Sequence, residues 1–319
     1  MMGKNLKAIA GALLASLLVL QMGCSGAGPE NSGQKETVSP PEKVESPAKN
    51  NEDSQADIKN RFDSLLAKNA GASEVLAFID KNVPLAAREG ASDMLVSLEE
   101  IQKKNLPQLE EKYYKENGIQ EKLGKVYSKN FDLKQLEEIT DQEVKDLLTE
   151  TREGGYKVET AEGMFFPVID YEVYKKYGTN AAADIKGYFD LMAVESNAVP
   201  AKDAALVIGW DEVIKRALAQ EKFIASYKDS RKAEEVRQLL KKYLVFTLFG
   251  SNNTPLFDYD TKTMVPAAKT AYLETLKNNK EGEFIKILSD YMELLNKNNY
   301  KLTDAVDKFR KTATETVKF

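Results

Sequence analysis

The side chains of this sequence that could do chemistry are carboxylates and phenols, because imidazole is missing and thiol nearly so. No histidine occurs in the 319 residues, and Cys24 is the only cysteine. Nucleophilic catalysis of the Ser–His–Asp or Cys–His kind is therefore excluded. Zinc centres lose their usual ligands. No glycine-rich phosphate loop or dinucleotide fingerprint is present. Acid chemistry survives: two carboxyl groups held across a sugar linkage can cleave it. Glu195, in "MAVESNAVPAKDAAL", is the most pointed carboxylate, although a helix end with Glu195 facing solvent is the expected arrangement. In "SNNTPLFDYDTKTMVPAAK", Asp258 and Asp260 alternate near Asn252 and Asn253, the oxygen ligands that calcium favours. Lys262 stands where a calcium loop would carry another oxygen, and the closing Glu is missing. A polar helix connection with Leu256 and Phe257 packed inward is thus expected there. No cofactor is called for by these residues.

Aromatic side chains are the remaining resource. Tyr171, Tyr174 and Tyr177 follow one another at i, i+3 and i+6, with Tyr188, Phe189 and Trp210 soon after. Such residues can line a cleft for a sugar or peptide, or fill a core. Trp210, between Gly209 and Asp211 at a loop-to-helix boundary, is the best single candidate for a groove.

Helices must position most of these groups, so the fold class expected is all-α or mostly α, an irregular multi-helix domain. "DIKNRFDSLLAK" puts Ile58, Phe62, Leu65 and Leu66 on one stripe. Pro84 suits a helix start. Thr140 followed by Glu143 reads as a capping box. Ser230 and Gly250 bracket one helix, Pro266 opens another, and Thr303 caps the last. The exception is "GGYKVETAEGMFFPVIDY" from Gly154 to Tyr171. It reads as a helix stop, two short strands turned at Gly163, and Asp170 as a cap. Pro167 lacks an amide donor and argues for an edge position. The hairpin is expected either to clasp two helical halves or to offer Phe165, Phe166, Tyr171 and Tyr174 to a partner.

The first residues place the protein. Lys4 and Lys7 precede an apolar run from Ala8 to Leu20, too short for a comfortable span and suited to an export signal. "LQMGCSG" resembles the cleavage box of bacterial membrane lipoproteins, with Gly23 before Cys24 and Gln21 departing from the usual apolar residue. The resemblance implies acyl chains such as palmitate on Cys24, and an extracytoplasmic location at the cell membrane. More than one chain is needed for firm attachment. Residues 1–23 then form the signal. Residues 24–57, rich in Pro, Ser, Glu and Lys, form a disordered tether spanning roughly 30 Å as a flexible coil. Residues 58–153 make an N-terminal helical part, 154–171 the hairpin, and 172–319 a C-terminal helical part.

The net charge is −5, and loss of Lys4 and Lys7 with the signal would take it to −7. That disfavours a nucleic-acid partner and leaves an envelope protein or cell-wall component. Two further resemblances are local. "LAQEKFIASYKDSRKAEEVRQLL" is similar to a tetratricopeptide-type hairpin through Ala219, Phe223, Tyr227, Ser230 and Ala233, without the 34-residue recurrence elsewhere. Glu195, Ser196 and Pro200 resemble the catalytic-glutamate region of lytic transglycosylases, but "ALVIGW" replaces the Gly-Leu-Met-Gln element expected next. The function expected is binding, scaffolding or structure at the envelope. The alternatives are a carboxylate-dependent enzyme that cleaves cell-wall glycans, and a solute-binding lipoprotein, which would need two α/β lobes.

Overall fold

Helices begin earlier than the apolar stripe requires. The computed structural model describes residues 47–115, 118–128 and 131–319, so Cys24 and the signal lie outside the described residues. Helix α1 runs Pro47–Ala67, reaching back beyond the expected boundary at residue 58. Proline at the first helical position is preorganised for this, and a polar segment can extend a helix whose later turns are anchored. Those later turns bury Ile58 and Phe62. Helix α2 (Ala72–Asn82) buries Val75, Leu76 and Ile79, and the Gly71 amide donates to Glu74 at its start. Pro84 sits in a short 3-10 turn, Val83–Leu85, ahead of α3 (Arg88–Tyr113). Helices α4 (Ile119–Tyr127) and α5 (Gln142–Glu153) complete the first part. The cap of α5 is Asp141, not Thr140: its carboxylate accepts the Val144 amide at 3.2 Å. A charged acceptor one residue nearer takes the place of the hydroxyl.

After Gly154 and Gly155, β1 (Tyr156–Ala161) and β2 (Met164–Ile169) pair antiparallel. Glu162 and Gly163 have φ of 49° and 77°, both left-handed, as the tight hairpin turn that matches strand twist requires. Pro167 faces Val158 in a sheet of two strands, where each strand has an unpaired edge and a missing donor costs little. Strand β2 lies against α3 and α4. Asp170 then caps a 3-10 helix, Tyr171–Tyr177, by accepting the Glu172 amide.

Two small hairpins were not expected. Strands β3 (Ala201–Lys202) and β4 (Ala205–Leu206) form one, and β5 (Gly250–Ser251) with β6 (Thr254–Pro255) the other. Two-residue strands are too short to show alternation. The turn residues Asp203 and Ala204 have φ of 50° and 59°. The second hairpin holds them there: Asn253 donates its backbone amide to the Ala204 carbonyl (2.8 Å) and its side-chain amide to that of Asp203 (2.7 Å).

The rest is helical: α6 (Ala183–Asn197), α7 (Trp210–Ser226), α8 (Ala233–Phe249), α9 (Pro266–Asn278), α10 (Glu283–Lys297) and α11 (Asp304–Thr316). Helices α7 and α8 pack as a hairpin, as the tetratricopeptide-like segment implied. Gly250, at φ 78°, ends α8; a Cβ there would lie 2.3 Å from the Thr254 carbonyl oxygen. Ile214, Tyr243, Leu244, Leu288 and Tyr291 fill the core between these helices. The fold is mostly α, as expected, and residues Ser46–Phe319 form one compact unit. Its only sheets among the described residues are two-stranded, so it lacks the α/β lobes of the solute-binding alternative. No helix among the described residues is long and apolar enough to cross a membrane.

Candidate functional site

The tyrosines that follow the hairpin turn inward. A 3-10 helix has three residues per turn, so Tyr171, Tyr174 and Tyr177 share one face, and all three are buried. Each hydroxyl meets a different acceptor. Tyr171 donates to Glu99 (2.7 Å), Tyr174 to the Gln102 side chain (2.5 Å) and Tyr177 to Asp80 (2.5 Å). Tyr174 also stacks on Phe189 with ring centres 4.0 Å apart. Burial first, and the nearby Glu99 charge second, push the Tyr171 and Tyr174 phenols well above their ordinary value. They are neutral donors that tie the hairpin's exit to α2 and α3. As candidates for binding a partner they are corrected: their rings are covered and their hydroxyls engaged.

Glu99 is the centre of a larger polar network, and it is fully buried. Lys232, on the approach to α8, donates to Glu99 Oε2 and to Glu235 Oε1, both at 2.6 Å. Lys103 lies 2.9 Å from Glu99 and 2.7 Å from Glu235. Tyr188 donates toward both carboxylates. Burial pushes the Glu235 carboxyl up, but hydrogen bonds from Lys103, Lys232 and Tyr188 outweigh it and hold it at about 2. The network joins the first helical part to the second. Nothing in "SLEEIQKK" distinguishes Glu99 from solvated charge, except that it shares the helical stripe of Leu95 and Gln102.

Gln102 locks the hairpin. Its Nε2 donates to the carbonyls of Gly154 (2.8 Å) and Gly155 (3.1 Å), and Tyr156 Oη donates to its backbone oxygen (3.0 Å). Gln120 grips β2 at both backbone groups of Phe165. The Phe165 ring lies 5.1 Å from that of Tyr127, and Phe166, opposite Glu159, is half-buried. Lys157 reaches Asn197 (2.9 Å) and Lys202 reaches Glu159 (2.6 Å). The hairpin therefore has the contacts of a clasp between the helical parts.

Glu195 does not face solvent; this corrects the expected helix-end placement. Its carboxylate accepts Tyr243 Oη at 2.6 and 2.8 Å and lies 3.5 Å from Arg216 Nη1. Burial raises its pKa, opposed by Tyr243 and Arg216. The helix continues two residues beyond Glu195, which turns the side chain onto α7 and α8. Asp258 spends its Oδ1 on the amides of Asp260 and Thr261 and on the Thr261 hydroxyl. With Asp260 beside it, it forms a self-contained turn, and no group of three acidic or thiol side chains suited to a metal occurs among the described residues. Leu256 and Phe257 pack inward, as expected.

Trp210 is the sequence candidate that meets a cavity. It is the first residue of α7, only 8 % exposed, and its ring stands edge-on to Tyr272 at 6.1 Å. Its remaining surface opens on a groove of about 880 Å³ between α7 and α9. One whole face of α9 lines it, including Ala267, Thr270, Ala271 and Asn278, facing Asp211, Lys215 and Leu218 of α7. That volume is within the range of ligand sites. The small residues of α9 allow close approach, while threonine and asparagine offer neutral hydrogen bonds. The structure does not gather the predicted residues into one site: Phe165 packs on α4, Tyr171 and Tyr174 on α3 and α6, and Trp210 on α9. Neither a family model nor a curated protein nor a solved structure gives a significant match to this chain.

Proposed function

We propose that the protein is a lipid-anchored, extracytoplasmic helical protein with a binding or scaffolding role at the cell envelope. The groove between α7 and α9 is its binding face. The observation that carries the binding role is the groove itself: an 880 Å³ concavity along a full helix face, lined by small apolar and neutral polar residues of α9, with Asp211, Lys215 and Glu274 also in the lining. The anchor rests on Gly23–Cys24 after a short apolar run. The carboxylate-enzyme alternative gains no support from Glu195, which is bonded to Tyr243 and is not part of the groove.

Two measurements test this reading. Mass analysis of the N-terminal peptide should find acylated Cys24; an unmodified thiol in the mature chain removes the anchor. A photo-crosslinker at Thr270, activated in native membranes, should give one dominant adduct that disappears with Ala271→Trp. Equal labelling from an exposed position outside the groove removes the binding face. Activity on purified wall material that is lost in Glu195→Gln would restore the enzyme reading.

A further inference from the structure

The loop whose carboxylates suggested a cation site helps line a pocket that also holds cationic donors. A cavity of about 420 Å³ lies where the end of α8, the β5–β6 hairpin, the loop after Phe257 and α11 meet. Its ionised lining groups are Arg310, Lys262 and Asp258. Asp258 is the weakest of these as a surface charge, because three donors of its own turn converge on Oδ1 at 2.7 to 3.1 Å. Those bonds hold its carboxyl below the ordinary value and saturate one of its oxygens. Arg310 and Lys262 thus bring two cationic donors to the lining; Asp307, which pairs with Arg310, does not line the cavity itself.

Both cations are prepared for a ligand. The Arg310 guanidinium lies 4.4 Å from the Phe249 ring centre and 5.7 Å from that of Phe257. Its Nε and Nη2 donate to Asp307 at 2.8 and 2.6 Å. The aromatic rings and this ion pair fix the plane of the fork, and Nη1 has no protein acceptor among the described residues. A fixed guanidinium loses little freedom on binding an oxyanion. Lys262 has no carboxylate within ion-pair distance among the described residues, although its charge reaches Asp258 and helps hold that carboxyl low. Its backbone is held in the left-handed region at φ 55°. Its amide donates to the Asp258 carbonyl (3.0 Å) and its carbonyl accepts from Leu302 (2.8 Å). A lysine in that conformation costs backbone energy that glycine would not, so the placement of an amine here is a candidate for function. At the mouth stands Tyr259, 64 % exposed, with its hydroxyl tied to the Asn252 carbonyl at 2.7 Å. An open, fixed aromatic face suits a ring.

We propose that this pocket binds the oxyanion of a small ligand, a phosphate or carboxylate carried on a sugar or other small polyol, through Arg310 and Lys262. The source is either a soluble molecule or an anionic lipid headgroup.

The test uses the full chain at low salt, titrated with glucose 6-phosphate, glucuronate and glucose, and mixed with phosphatidylglycerol or phosphatidylcholine vesicles. At least one of the anionic probes should bind, and glucose and phosphatidylcholine should not. Lys262→Gly should weaken that binding by about tenfold without lowering Tm in the absence of ligand, because glycine relieves the left-handed strain. Arg310→Gln should weaken it further; should that variant not fold, Lys262→Gly decides alone. Lys241→Gln, outside the pocket, should bind as the parent does. Loss of sugar-acid binding in Lys262→Gly points to a soluble ligand, and loss confined to phosphatidylglycerol vesicles points to a headgroup. Equal binding of glucose, no binding of any anionic probe, or anion binding unchanged in Lys262→Gly would overturn the proposal.

Discussion

Glu99 and Lys232 pose a question of sign. A buried ion pair does not by itself stabilise a protein, since desolvating two charges offsets much of their attraction. Removing one member is a different matter, because the other stays buried without compensation. Lys232→Met should therefore cost about 3 kcal/mol in urea unfolding, with Lys103 at 2.9 Å retaining part of the compensation for Glu99. The double variant with Glu99→Leu should recover part of that loss. Equal loss in the single and double variants would mean that the network matters only through packing. At this scale the sequence was least legible. Trp210 could be picked out because Gly209 before it and Asp211 after it mark a loop-to-helix boundary, and it is the first residue of α7. Glu99 could not, because its burial depends on a stripe whose partners Tyr171, Tyr188 and Lys232 lie 72, 89 and 133 residues away. Tyr171 and Tyr174 misled for a related reason: spacing gave their shared face correctly but not what lay against it.

Helix ends show how elements are held. Helix α10 has no side-chain cap from its own sequence; Glu221 of α7 accepts the Phe284 amide at 2.8 Å instead. Gly282 precedes it at φ 110°, and a Cβ there would lie 2.3 Å from Glu221 Oε2. Gly282→Ala should thus strain the backbone and displace the cap together, at about 2 kcal/mol. Gly71→Ala, with nothing within 4 Å of the added carbon, should cost far less by the same assay. The β1–β2 hairpin gives a second contrast. Phe165→Ala should lower stability by about 2 kcal/mol, and Phe166→Ala by less, since only the former packs its ring on Tyr127, at 5.1 Å. Elements were the most legible scale. Periodicity, Gly250, Pro266 and Thr303 marked helices that form. Caps supplied across the chain, such as Glu221, left no local signal.

Across the whole molecule, three partly desolvated carboxyls set opposing pH dependences. Glu235 is held at about 2 in the folded protein. Its contribution is present above its ordinary value of 4.5 and is lost as pH falls through about 2. Glu195 and Glu221 are shifted upward by burial. The unfolded chain loses those protons first as pH rises, so these two groups reduce stability from pH 4.5 upward. Glu195→Gln, which cannot ionise, should gain on the parent protein between pH 4.5 and 7.5. Urea midpoints at the two pH values measure this; a difference that does not change, or that shrinks, would contradict the placement of Glu195.

The position of Trp210 has a practical consequence. It is the chain's single tryptophan, so the protein has an intrinsic optical reporter at the α7–α9 groove. Excitation at the red edge selects that indole over the tyrosines. A molecule entering the groove displaces water from the exposed edge of the ring and should shift the emission to the blue. An oxyanion seated at Arg310, in a pocket that shares no lining residue with the groove, should leave the spectrum unchanged. Occupancy of the two sites can thus be read apart in the unlabelled protein, one by emission colour and the other by heat.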